Sequence, residues 1–75
     1  MTVQQAKKWI ERLSAYRLAG DLTASEVRDV INTRAIRLAS FGADPSIVEF
    51  LQEKRAEWLV ISEREFGDAC REMMS

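Results

Sequence analysis

Residues 20–27 read GDLTASEV, and the order of residue types in them decides how the chain folds. Gly20 is suited to the left-handed conformation that closes a helix, because it has no Cβ to clash there. Thr23 is a helix N-cap, and Glu26 sits three residues on, as a capping box requires. Leu22 and Val27 occupy the two places of a hydrophobic staple. One helix therefore ends at about residue 19 and a second begins at about residue 24, with almost no chain between them.

The second punctuation lies at residues 42–50, GADPSIVEF. Gly42 stops the second helix, and Asp44 caps a third whose first residue is Pro45, where a missing N–H costs nothing. Ser46 with Glu49 offers a competing box two residues later. No further proline intervenes, so the third helix can run to about residue 73. Gly67 is where it would kink or break, since Phe-Gly at 41–42 ends a helix and recurs at 66–67.

Apolar spacing fills in the rest. Val3, Ala6, Ile10, Leu13 and Arg17 share a face of a helix over about 2–19, flanked by Trp9 and Tyr16. Val27, Val30, Ile31, Leu38 and Phe41 are expected inward on a helix over about 24–41. The third helix spans about 45–73. No alternating strand pattern is present, and two tight connections favour antiparallel neighbours. The expectation is an all-α, antiparallel three-helix bundle with a long C-terminal helix, residues 1–75 forming one domain.

Helix lengths then pose a problem. At 1.5 Å per residue the first two helices are about 27 Å long and an unbroken third about 43 Å. Antiparallel pairing of the second and third helices sets Leu38 near Leu51, Ile31 near Trp58, Val27 near Ile61 and Ala24 near Glu65. Phe66, Ala69, Cys70, Met73 and Met74 then project past the bundle, too apolar for a solvated tail. Trp58, Leu59, Val60 and Ile61 are consecutive, so their side chains point in most directions around one helix. Ala56, Leu59, Val60, Phe66, Cys70, Met73 and Met74 are accordingly the candidate protein interface. The competing expectation is that Gly67 lets the end fold back onto the 20–23 loop, burying Phe66 and Met73.

Two arginines fall on apolar stripes. Arg17 is level with Glu65, and Arg34 lies between Val27 and Leu38, within reach of Glu11 or Glu57. A buried guanidinium needs a carboxylate or a route to water, so these pairs are expected to fix the register. Alternatively, Arg34, Lys54 and Arg55 converge on an anionic group of a partner.

Composition narrows the functional classes. The chain has 75 residues, 47% hydrophobic and 31% charged, with no His and a single Cys. That composition belongs to a soluble globular domain near the lower size limit for a self-sufficient core. One cysteine forms no internal disulfide, which points to a reducing, cytoplasmic setting. The longest apolar run is four residues, so no membrane span or signal peptide is read. Without His, and without a phosphate loop, dinucleotide fingerprint or metal-ligand spacing, no enzyme, cofactor or metal site is expected.

Charge is unevenly distributed. Residues 1–43 hold seven Lys/Arg against four Asp/Glu, and residues 44–75 hold four against eight. The halves can neutralise each other or attract a second copy head to tail. Lys7, Lys8, Arg12, Arg28 and Arg37 are the residues for an alternative, a trihelical nucleic-acid-binding regulator. A pI near 5.4 and an acidic third helix argue against it. The favoured expectation is a small interaction protein that docks onto itself as a homodimer, or onto a larger protein. A short, motif-free helical chain of this kind fits an adaptor, assembly factor or inhibitor of bacterial or phage type.

Overall fold

A computed structural model describes the backbone of residues 1–74 and the side chains of residues 1–67. It contains three helices, α1 (Val3–Leu18), α2 (Ala24–Ser40) and α3 (Pro45–Met74), and no strand among the described residues. The all-α three-helix architecture is as the sequence predicts, with every expected boundary within one residue.

Local chemistry explains where each helix starts. Thr2 caps α1: its Oγ1 accepts from the Gln5 N–H (3.1 Å), and Gln5 Oε1 accepts from the Thr2 N–H (2.8 Å). Thr23 and Glu26 make the same reciprocal pair at the start of α2, both at 3.1 Å. At α3, Asp44 Oδ1 accepts from the Ser46 N–H (3.0 Å) and from the Ser46 hydroxyl (2.9 Å). Those two bonds, the backbone one first, hold the Asp44 carboxyl below its ordinary pKa. They also settle the boundary: the Ser46 hydroxyl turns back to Asp44, so the competing Ser46–Glu49 box is not the cap.

The two turns close alike. Gly20 has φ 84° and Gly42 φ 72°, both left-handed. After α1 the Gly20 N–H donates to Arg17 O (3.1 Å) and the Asp21 N–H to Tyr16 O (2.9 Å). After α2 the Gly42 N–H donates to Ala39 O (3.2 Å) and the Ala43 N–H to Leu38 O (3.0 Å). Each is a Schellman closure that satisfies otherwise orphaned carbonyls and reverses the chain within a few residues.

The core takes Ala6, Ile10 and Leu13 from α1, Val27, Ile31 and Ala35 from α2, and Ile47, Leu51 and Trp58 from α3. Ala24 of α2 belongs to the same core and Ser62 of α3 is buried too; with Ala35 these small residues let α2 and α3 approach closely. The Ser62 hydroxyl donates to Leu59 O (2.8 Å), so its burial leaves no polar atom unpaired. Bulky Trp9 stands α1 further off, half-buried at the edge of the cluster.

Three inward assignments on α2 are corrected. Phe41 is 85% exposed, because it is the C-cap residue and its dihedrals (φ −88°, ψ 3°) leave the helical repeat. Val30 is exposed at the rim, on a side that α1 covers only in part. Arg34 is exposed as well and pairs with neither Glu11 nor Glu57. Its guanidinium instead lies over the Trp9 ring, 4.5 Å from the centroid. Stacking leaves the edge of the cation hydrated, which removes the need for a buried carboxylate.

α3 runs unbroken through Gly67. Its thirty residues correspond to about 45 Å of helix, close to the 48 Å long axis of the molecule. Phe66 remains 74% exposed, so it is not folded back onto the 20–23 loop.

Candidate interaction surfaces

Register is fixed at one end of the bundle by Glu65. The Arg17 guanidinium donates to its Oε1, and the Ala24 N–H donates to its Oε2 (3.4 Å). One carboxylate thus ties the last turn of α1 to the first turn of α2, where the helix dipole favours negative charge. This is the pairing expected from helix lengths and turn positions alone. Both side chains are about one-third exposed or more, so solvent screening keeps the pair's net worth small.

The run 58–61 divides as its geometry requires. Trp58 is 8% exposed and belongs to the core, and Ile61 packs against that core. Leu59 is half-buried, and Val60 is 49% exposed. Val60 stands nine residues after fully buried Leu51, which is about half a turn away around the axis. It therefore points away from α1 and α2. With it on the outer side of α3 lie Glu49, Glu53, Ala56 and Glu63, all exposed and spaced four or three residues apart. Ala56 and Val60 thus form a narrow apolar strip between carboxylates. Leu59 and Phe66 lie on the flank of α3 towards α2. Ala69, Cys70, Met73 and Met74 lie outside the described side chains.

The expected cationic cluster of Arg34, Lys54 and Arg55 does not assemble. Arg34 sits with Trp9 on the α1–α2 side. Lys54 borders a hollow with Lys7, Glu11 and Phe50 on the α1–α3 side, lies over the Phe50 ring (5.6 Å) and pairs with Glu57 (3.2 Å). Arg55 borders a hollow with Asn32, Ala35 and Ile36 between α2 and α3. In an antiparallel bundle these residues share an axial level but lie on three different sides, and a shared level alone brings no side chains together.

The basic residues of the alternative reading separate in the same way. Lys7 is on the Glu11 and Lys54 side, and Arg28 is bound to Asp29 (2.9 Å) and to Ser25. Lys8, Arg12 and Arg37 do come together, with Arg34 between them, around adjoining hollows on the α1–α2 face. Trp9 and Met1 border both hollows, and Val30, Thr33, Leu38 and Phe41 complete the second. None of the four cations is in an ion pair among the described residues. This mixed surface was missed as a unit. Its signal was available in the spacing of Trp9 with Lys8 and Arg12, and of Arg34 with Arg37 and Phe41, but only the packing of α1 on α2 joins the two sets.

Among the described residues no group of His, Cys, Asp and Glu could hold a metal, and no helix is long and apolar enough to cross a membrane. Comparisons with protein-family models, curated proteins and solved structures found nothing that matches this chain.

Proposed function

We propose that this chain is a non-enzymatic helical interaction module that docks through the outer face of α3. The observation that carries the reading is the exposure of Ala56 and Val60 on the side of α3 away from α1 and α2, with Phe66 exposed on its flank, on a helix nearly twice as long as either neighbour. Two neighbours of sixteen and seventeen residues cannot flank thirty along their whole length. A second chain laid on the uncovered side would bury apolar surface that the fold itself leaves wet. An adaptor, assembly factor or inhibitor works through such a surface, and the single cysteine fits a reducing, cytoplasmic setting.

The occupant favoured is another copy of the chain. Nucleic acid ranks below it, because Lys7 and Arg28 lie away from the other cations and the carboxylate row of α3 repels phosphate.

Sedimentation velocity over rising concentration tests the reading. The wild type is expected to gain mass into the high micromolar range. Val60→Glu, at a half-exposed position, should keep the helical spectrum and stay monomeric. A wild type that remains monomeric throughout, or a Val60→Glu chain that associates equally well, defeats it.

A further inference from the structure

The outer row of α3 is acidic, and this constrains what can cover it. In a symmetric α3–α3 contact Glu49, Glu53 and Glu63 of one copy would meet the same residues of the other, and like charges at close range oppose association. The α1–α2 face has the complementary make-up. Lys8, Arg12, Arg34 and Arg37 rim an apolar floor of Trp9, Val30 and Phe41. Ala56 and Val60 between carboxylates match an apolar floor between cations, both in sign and in the order apolar centre, charged edge.

Resting on the reading of α3 as a docking helix, we propose that its outer face docks into the cationic, aromatic α1–α2 face of a second copy of this chain. The two faces lie on opposite sides of the bundle: no α3 residue lines either α1–α2 hollow, and Val60 points away from both helices. A pair of copies therefore cannot satisfy both faces at once. Each copy offers one face and accepts the other, so association is head to tail and continues beyond a dimer. Charge steers it, so it weakens as salt is added.

Two charge-reversed chains test this by sedimentation velocity and light scattering. Lys8→Glu with Arg37→Glu alters the acceptor face while leaving the Arg34–Trp9 stack in place. Glu53→Lys with Glu63→Lys alters the donor face. All four positions are exposed and make no ion pair among the described residues. Circular dichroism should show wild-type helicity for both chains. Each alone is expected to associate about tenfold more weakly than wild type, or worse. Mixed one to one, they should associate where neither does alone, because the native donor face of one meets the native acceptor face of the other and the two reversed faces are again opposite in sign.

If the acceptor-face variant self-associates as wild type does while the donor-face variant does not, the acceptor is wrong and the role of α3 stands. A mixture that remains monomeric also overturns the proposal. A wild type that is monomeric at every concentration removes both readings in their self-association form. A wild type that stays monomeric but binds a short single-stranded oligonucleotide, with affinity lost in Lys8→Glu/Arg37→Glu, assigns the cationic face to nucleic acid and overturns the proposal.

Discussion

The two sides of α2 are packed by different rules. Towards α3 it presents Ala24, Val27, Ile31 and Ala35, all fully or almost fully buried, against Leu51 and Trp58. Towards α1 it presents Val30, Arg34, Leu38 and Phe41, half-buried or exposed, against Trp9. Small side chains on the first side draw the helices together until water is excluded. Large and charged ones on the second keep α1 at the edge and leave a wet surface with a cationic rim. Stability is concentrated in the first contact, and the second leaves cationic and aromatic groups open to solvent.

The sharpest way to break that contrast is to truncate one side chain on each side. Ile31→Ala removes a fully buried side chain and should cost about 3 kcal/mol, enough to unfold much of a domain this small. Phe41→Ala removes a larger side chain yet should shift a urea midpoint by the equivalent of only about 0.5 kcal/mol. Equal losses in the two variants would mean that Phe41 is buried in solution.

The glycines sharpen the picture next. Gly42→Ala places a Cβ at φ 72°, with open space around it, so the cost is conformational alone, about 1–2 kcal/mol. Gly67→Ala lies in a continuous helix, also with open space, and should stabilise by about 0.5–1 kcal/mol with a small rise in helicity. A destabilising Gly67→Ala would place a break in α3.

Glu65→Gln should also have a small effect, below about 1 kcal/mol, because the ion pair with Arg17 is partly exposed. Chemical denaturation with and without added salt checks it. The wild type should lose part of its advantage as salt rises, while the variant should not.

Much of this fold was legible because its signals are local. The Thr23–Glu26 box, the Asp44–Pro45 start and both closing glycines act within a few residues of themselves. Short turns then fixed the antiparallel level of Arg17, Ala24 and Glu65. What periodicity could not supply was the position of α1 around the axis of α2. It gave Arg34 a direction relative to its own helix, but not the Trp9 ring that meets it. Phe41 was misjudged because the helical repeat was carried one residue past its end. The repeated Phe-Gly misled for a related reason. Gly42 is followed by Ala-Asp-Pro, and the proline cannot continue the helix before it, whereas Asp-Ala-Cys-Arg-Glu after Gly67 can. The candidate surface was legible only in half: the apolar strip of α3 is a property of one helix, while its proposed acceptor exists only where two helices meet.

The chain contains two tryptophans, one on each side of the contrast: Trp58 in the core and Trp9 on the proposed acceptor face. Their indole N–H resonances, followed by NMR as the protein is concentrated at low salt, test the central claim most directly. Docking of one copy's α3 onto the next copy's α1–α2 face predicts that the Trp9 signal moves with concentration, together with the Val60 methyls, while Trp58 stays in place. A Trp9 signal that does not move, at concentrations where Val60 does, would contradict it.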